Sequence, residues 1–434
     1  MKILWIQTFF GTPQGWGSQR QYAFAKRWVA AGHAVDVLCT AAYDSSLTPG
    51  CECVVDGIRL HVSRAAYVPQ MGFLRRCAAF LRFMLGAVWF VTRHGASYDV
   101  LIASSGPLTN LIPAILGRWF HRLPFVFEVL DVWPDAAVEA GVLKNPLVTA
   151  FSRGLERTGY RWASRIVTCS TGMTARVCGK LGLPDTGAGM CPDARVTTVA
   201  HGSDLDQPDA RACRLRFLTE HELPENVCLV LYMGAMGVSN AVEDVAEAMR
   251  LTADKPEVFW VFAGSGAKEG LLREQLARGR GVFLGKRTNV QMREVCASAD
   301  VNVVTFMHAP LFYENSPNKF FDGIAAGLPE VFNRSTWLEP WLREYDCGVV
   351  CPGNEPGREL ARAILALADD PERRKQMGRN ARRLAEEVFD RDKLAKKYLT
   401  LLKEVLKCES SKVREKAEAT ANGSNHADEG IRGK

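Results

Sequence analysis

Two carboxylates, Glu314 and Asp322, have seven residues between them in the stretch ENSPNKFFDGIAAGLP, residues 314–329. From Asn318 the apolar residues follow helical spacing, so Glu314 is predicted on a loop and Asp322 one turn inside a helix. Free N–H groups at the start of that helix, near Lys319, would attract an anion. An acid for sugar hydroxyls, a positive helix end for phosphate and an acid for a diol together predict a nucleotide diphosphate sugar site.

Glycines follow several predicted strands, at the ends where parallel sheets bind ligands. Strands at 227–233 and 259–263 lead to Gly234, Gly237 and Gly264. Such loops offer bare N–H groups to a phosphate where they enter a helix.

The first glycine loop also suggests a different class of site. Residues 15–20 read G-x-G-x-x-R, and Asp36 lies roughly where a dinucleotide fold keeps its ribose-binding acid. Arg20 replaces the third glycine, and the loop is longer than a tight phosphate turn. The sequence therefore disfavours a dehydrogenase.

A second group of polar residues crowds the end of a predicted strand at 125–129. Glu128, Asp131 and Trp133 stand in the segment EVLDVWPD. Carboxylates at the carboxyl end of a parallel strand are typical of a ligand site. The alternative is a charged loop in which Asp135 stabilises the start of the next helix.

Length and composition restrict the class of protein. The 434 residues suffice for two domains, and the net charge of +6 is too small to indicate nucleic acid. The thirteen cysteines form no paired zinc motif, since only Cys51 and Cys53 are close. Reduced thiols and a first apolar run too short for a signal peptide predict a cytoplasmic protein.

Residues 71–94 raise the question of a membrane. Their apolar run is shorter than the roughly 20 residues that a span needs. Apolar residues at helical spacing, with Arg75, Arg76 and Arg93 at the flanks, fit a helix that lies on an anionic membrane face. A buried helix of the first domain fits equally well, and both interpretations stay open.

The stretch 314–329 resembles the acid-x7-acid motif and the A-A-G-x-P run of retaining glycosyltransferases of the GT-B fold, family 4, with Asp322 where that family usually has Glu. EVLDVWPD resembles E-V-R-D-L-W-P-E-S of a subgroup that makes O-antigen and capsular polysaccharides and includes fucosamine transferase-like enzymes. The turn 201–204 resembles the P-N-G-V-D turn before the second domain of the family.

The resemblance implies an α/β fold, GT-B, with two Rossmann-like domains facing across a cleft. It implies an acceptor domain at 1–204, a nucleotide-sugar domain at 205–390, a helix at 391–407 packing back on the first domain, and a tail at 408–434 that composition predicts to be disordered. The D-x-D match at 204–206 falls in the linker, so no metal is expected there.

The implied activity is metal-independent, retaining transfer of a hexosyl or N-acetylhexosaminyl group, without cofactor. The donor is expected to be UDP-linked and the acceptor a lipid-linked saccharide, in cell-surface polysaccharide synthesis at the inner face of the plasma membrane. The predicted catalytic residues are Glu314, Lys319 and Asp131; the donor-binding residues are Gly15, Gly17, Ser18, Gly234, Gly237, Gly264, Ser316, Asn318 and Asp322; the acceptor-binding residues are Glu128 and Trp133.

Two other functions remain possible on the sequence. A nucleotide-sugar epimerase has the same fold. A non-catalytic scaffold that binds a nucleotide sugar is suggested by the shorter acid at 322 and by Val238-Ser239-Asn240, which stands where relatives place an Arg and a Lys for the diphosphate.

Overall fold

The computed structural model describes residues 1–67, 71–139, 141, 143–184 and 195–429, with side chains to residue 411 except that of Phe73. Within these residues the chain forms two α/β domains, each built on its own sheet. This architecture confirms the predicted fold class of two Rossmann-like domains.

The first domain contains eight strands in the order β3-β4-β2-β1-β5-β6-β7-β8, parallel except for the β3–β4 hairpin. Its elements are β1 Lys2–Phe9, α1 Arg20–Ala30, β2 Ala34–Thr40, β3 Glu52–Val55, β4 Ile58–Val62, α2 Phe73–His94, β5 Val100–Ser104, α3 Leu111–His121, β6 Phe125–Val129, α4 Asp135–Glu139, α5 Pro146–Trp162, β7 Arg165–Thr168, α6 Thr171–Lys180 and β8 Val196–Thr198.

The second domain contains six parallel strands in the order β11-β10-β9-β12-β13-β14. Its elements are α7 Ala210–Glu220, β9 Cys228–Ala235, α8 Val242–Leu251, β10 Val258–Ser265, α9 Glu269–Leu276, β11 Gly281–Gly285, α10 Asn289–Ser298, β12 Val301–Val304, α11 Asn318–Ala325, β13 Glu330–Phe332, α12 Glu339–Tyr345, β14 Gly348–Val350, α13 Pro356–Asp369, α14 Pro371–Glu387 and α15 Arg391–Glu429.

Both faces of the first sheet are buried, which explains why its strands read as continuous apolar runs. Successive side chains of a strand point to opposite faces. In β1, Leu4 and Ile6 pack into one hydrophobic cluster, whereas Ile3 and Trp5 pack into another. The sheet therefore needs helices on both sides.

The last helix, α15, supplies part of the second of these clusters. The Tyr398 ring lies 5.3 Å from the Trp28 ring and 6.3 Å from the Trp5 ring. The Trp28 indole N–H donates to the Ala395 carbonyl over 3.0 Å. The end of the chain thus crosses back and packs on the first domain.

The sequence predicts disorder from residue 408, but α15 continues to Glu429. Disorder is predicted from the lack of large apolar residues alone. Ala, Glu, Lys and Arg, which are common in this segment, have high intrinsic helix propensity, and no proline interrupts them. Residues 430–434 lie outside the described part of the chain.

The cysteines depart from the expectation at one position. Eleven are free thiols, whereas Cys178 is disulfide-bonded.

The helix α2 combines both interpretations of residues 71–94. Phe83, Ala87 and Val91 are buried in the first domain's core. On the other side, Leu74 and Trp89 are 81% and 61% exposed. Among the described residues no helix is long and apolar enough to span a bilayer. One face of α2 is therefore core, and an apolar face is left in solvent.

Candidate functional site

The carboxyl ends of the two sheets meet across a gap. The Ser18 hydroxyl donates to the Asn318 side-chain oxygen over 3.1 Å. The Asn289 side-chain amide donates to the Thr12 carbonyl over 3.0 Å, and its backbone N–H donates to the Gly15 carbonyl over 2.9 Å. The first glycine loop therefore bridges the domains and directly contacts the start of α11.

Lys319 lies at that start, among atoms of β9 and the loop after it. Its ammonium is 4.7 Å from the centre of the Tyr232 ring and 3.4 Å from the Asn240 side-chain oxygen. The helix has no side-chain N-cap, because Pro317 occupies that position. Burial lowers the pKa of Lys319 to about 8. The Lys319 ammonium and the uncapped backbone N–H groups of α11 thus lie together at the start of this helix.

Asp322 follows one turn further along α11, as predicted. The residue is exposed, and desolvation by the surrounding protein raises its pKa to about 6, although Arg391 and Arg293 act in the opposite direction. Desolvation therefore disfavours the charged forms of both Lys319 and Asp322, which lie on the same short helix. Such perturbation is typical of ligand sites.

Glu314 is not free, in contrast to the prediction of an unengaged acid on a loop. It ends a 3₁₀ turn, Pro310–Glu314, and both its carboxylate oxygens accept from Arg176 of α6, each over 2.7 Å. A side chain at Gly172 would meet the Glu314 Cγ at 2.7 Å, so glycine permits this approach. Glu314 thus joins the second domain to the first.

We expect this pair to couple the stability of the two domains. In a double-mutant cycle of Glu314→Gln and Arg176→Gln, the effects on the free energy of unfolding should be non-additive by about 1 kcal/mol, since the residues share one bidentate contact. Lys180→Gln is the matched control, because Lys180 lies on the same helix but pairs with Asp135 and Glu156 inside the first domain. Additive effects of Glu314 and Arg176 would contradict the coupling.

Asp131 follows the carboxyl end of β6 and is exposed. The Ser105 hydroxyl donates to its carbonyl over 3.0 Å and accepts its N–H over 3.2 Å, which fixes the backbone. Desolvation by the surrounding protein raises the pKa of the Asp131 carboxyl. The Asp131 side chain is therefore accessible, and its backbone is held by Ser105. Its raised pKa favours the protonated form.

Glu128 is wrongly predicted to contact the acceptor. Its side chain is 0% exposed and accepts from the Arg20 guanidinium, equally buried, over 2.9 Å. The Ser104 hydroxyl donates to its other oxygen over 2.6 Å. Glu128 therefore neutralises the buried Arg20 side chain and is not available to a ligand. Trp133, two residues after Asp131, is half-buried against the core.

The surroundings of the five predicted glycines differ. Gly234 is exposed with φ +99°, and a side chain there would meet the Lys319 Cε at 3.7 Å, which places it at the start of α11. Gly264 packs on the Gly234 backbone, and Gly237 has open space around it. Gly15 is buried against the Tyr43 carbonyl, contrary to its predicted contact with the donor. Gly17 is exposed with φ +95°.

Ser316 has a buried hydroxyl without a hydrogen-bond partner among the described residues. It lies two residues before Asn318, which Ser18 contacts. An unsatisfied buried hydroxyl costs free energy.

Other charged residues that follow predicted turns have structural partners. Lys268 pairs with Glu243, and Lys286 lies 5.2 Å from the centre of the Trp16 ring. Asp204 of the D-x-D match binds Arg391 and Arg27, whose guanidiniums hold its pKa below the usual range despite burial.

Sequence reasoning missed Arg176 and Arg293. Both lie on helices of otherwise ordinary composition, far along the chain from the acids that they approach. The only available signal for Arg176 was the small residue Gly172 one turn earlier.

Two glycosyltransferase family models match successive parts of the chain. Residues 17–192 match the "Glycosyl transferase 4-like domain" and residues 216–384 match "Glycosyl transferases group 1".

The chain is also similar to individual proteins. The "Probable glycosyltransferase WbjE" of Pseudomonas aeruginosa is 26% identical over 289 residues, 64% of this chain and 68% of that protein. Among solved structures, sucrose-phosphate synthase of Thermosynechococcus elongatus superposes with a TM-score of 0.69 at 17% identity over 94% of this chain and 99% of that one. HepE of Anabaena, in complex with UDP-glucose, gives 0.67 at 15% identity over 93% and 100%.

Proposed function

The chain belongs to the GT-B glycosyltransferases, and we propose that it moves a sugar from a nucleotide diphosphate sugar to a lipid-linked saccharide with retention at the anomeric carbon. One observation carries the proposal: the Lys319 ammonium lies beside Asn240 at the uncapped start of α11. This arrangement suits a diphosphate, and HepE, a structural neighbour, has been crystallised with UDP-glucose.

In the proposed reaction the bond between the anomeric carbon and the diphosphate oxygen breaks, and the electron pair leaves with the diphosphate. Lys319 and the N–H groups of α11 stabilise that charge without a metal, because fixed donors need not reorganise. Asp322 binds the ribose hydroxyls. An acceptor oxygen bonds to the anomeric carbon, and Asp131 takes the proton that this oxygen loses.

Glu314 and Trp133 have supporting roles in this proposal. We assign Glu314 to the hydroxyls of the donor sugar, with Arg176 holding its carboxylate in place. Trp133 would contact the acceptor. Ser18 and Asn318, bonded to each other across the gap, would close around the donor.

The acceptor and the biological role rest on the segment EVLDVWPD, which resembles polysaccharide-synthesising relatives. We propose synthesis of O-antigen or capsule from a UDP-linked hexose or N-acetylhexosamine. The test is incubation with labelled nucleotide sugars and a membrane lipid extract. Lipid-linked product supports the transferase; altered free donor indicates an epimerase, and no change indicates a scaffold.

The pKa values of two site residues predict how donor binding depends on pH. Affinity for a UDP-sugar should be greatest between about 6, where Asp322 ionises, and about 8, where Lys319 loses its proton. Below this window the carboxylate is neutral, and above it the ammonium is neutral. Calorimetric titration across the range measures it. Lys319→Arg should remove the alkaline decline, since guanidinium stays charged; an unchanged decline would exclude Lys319 as its cause.

We further propose that the exposed face of α2 contacts an anionic membrane. Leu74, Leu81, Leu85 and Trp89 share that face. Flotation with vesicles at low salt tests the contact, and Leu85→Glu should reduce recovery severalfold. Equal recovery of the wild-type protein with and without anionic lipid would refute it.

A further inference from the structure

A second concave site lies on the first domain, away from the gap. It is a cavity of about 230 Å³ where the end of α5, the start of β7 and α15 meet. Arg165 begins β7 and Arg195 immediately precedes β8, so the cavity is at the amino ends of these strands. Donor and acceptor residues lie at the carboxyl ends, so this cavity is not part of the candidate active site.

Among the described residues that line the cavity, arginines outnumber carboxylates. Its lining includes four arginines, at positions 118, 161, 165 and 195, and one carboxylate, Glu409. Guanidinium groups bind phosphate in fixed, forked geometry, and their mutual repulsion falls when an anion lies between them. The lining therefore fits an anion with several oxygen acceptors.

Two of these arginines have unused donors. The Arg118 Nη1 is buried and has no hydrogen-bond partner among the described residues. Arg161 is exposed and makes no hydrogen bond or ion pair within the same residues. A buried donor without an acceptor is costly, so an occupant that supplies the acceptor would be stabilised.

Glu409 shows how an anion is held there. Both its oxygens accept from the Arg118 Nη2, over 3.0 and 2.9 Å, and the Ser164 hydroxyl donates to one of them over 3.2 Å. One carboxylate thus already bridges α15 to the cavity wall. It forms an ion pair with Arg118 at 2.9 Å.

An aromatic pair lies at one side of the cavity. Trp162, which lines it, packs edge-on against Trp119 at 5.8 Å between ring centres. Trp119 is 57% exposed. An aromatic pair beside a cationic pocket also accommodates a phosphate that is attached to a larger, amphipathic molecule.

We propose that this cavity is a binding site for a phosphoryl group, either of a free phosphate compound or of a lipid headgroup. The phosphoryl oxygens accept from Arg118, Arg161 and Arg165. Glu409 sets the affinity by competing for Arg118. The site is separate from the donor site and does not depend on the proposed activity.

The first arm of the test uses inorganic pyrophosphate and calorimetric titration of the full chain. The double variant Arg161→Gln/Arg165→Gln should weaken binding about tenfold or more, as expected for lost charge-assisted hydrogen bonds. Glu409→Gln should strengthen it severalfold, a gain that misfolding cannot produce. Arg157→Gln, on the same helix but outside the lining, is the matched control. Lys319→Gln identifies any binding in the active-site gap.

The second arm uses phosphatidylcholine vesicles with and without phosphatidylglycerol. Loss of pyrophosphate binding in the double variant supports a free phosphate compound as ligand. Loss of binding to anionic vesicles alone supports a lipid headgroup, because contact through α2 would persist in that variant. If neither probe responds to the double variant or to Glu409→Gln, the proposal is wrong.

Discussion

Asp131→Asn should lower kcat by about 100- to 10,000-fold, the usual contribution of a positioned general base. The Asp131 carboxyl is accessible, and desolvation raises its pKa, which favours proton uptake from an acceptor hydroxyl. Asparagine preserves the shape but cannot take the proton. The dissociation constant of the donor should change little, since the proposed diphosphate site lies on the other domain.

The informative comparison is Glu128→Gln, three residues earlier in the same segment. Glu128 is buried against Arg20, so its replacement should destabilise the fold by about 3–5 kcal/mol, the cost of leaving a buried charge unpaired. Thermal unfolding and steady-state kinetics measured on both variants separate the two roles. A stable Glu128 variant with reduced kcat, beside an active Asp131 variant, would reverse the assignments.

Lys319→Met should lower kcat/KM by about 100- to 1,000-fold, as loss of a fixed donor to a developing charge does elsewhere. Its ammonium is desolvated, which is why its pKa falls to about 8. The same desolvation would strengthen its interaction with the leaving diphosphate of the proposed reaction. The neutral side chain should also raise the melting temperature, because the unfavourable buried charge is removed.

Lys268→Met is the control for this effect. Lys268 also follows a glycine turn, but it pairs with Glu243 at the surface. Its replacement should leave kcat/KM within about threefold, since exposed ion pairs contribute little. Equal losses in both variants would show that general positive charge, and not the position of Lys319, matters.

The sequence predicted the arrangement of elements because burial on both sheet faces leaves long apolar runs, and glycines stand where strands end. The start of α11, with Lys319 and Asp322 one turn apart, follows from helical periodicity alone. These features are local. Each depends on residues close together in the chain.

The errors concern pairs that are distant in sequence. Nothing near Glu128 indicates that Arg20 will neutralise it, and nothing near Glu314 indicates Arg176. Gly15 was predicted to face the donor, but the Tyr43 carbonyl fills the space beside it. A strand's carboxyl end identifies the region of a site, whereas only the assembled fold decides which side chain in it is free.

The helix α15 has a consequence for synthesis of the chain. Tyr398 and Ala395 complete a core in which Trp5 and Trp28 are translated first. Until the ribosome has released residues near 400, α15 does not cover that aromatic face, and transiently exposed apolar surface of this kind is prone to aggregate. The first domain therefore reaches its final packing only after the second has been made, so the order of translation is not the order in which native contacts are completed.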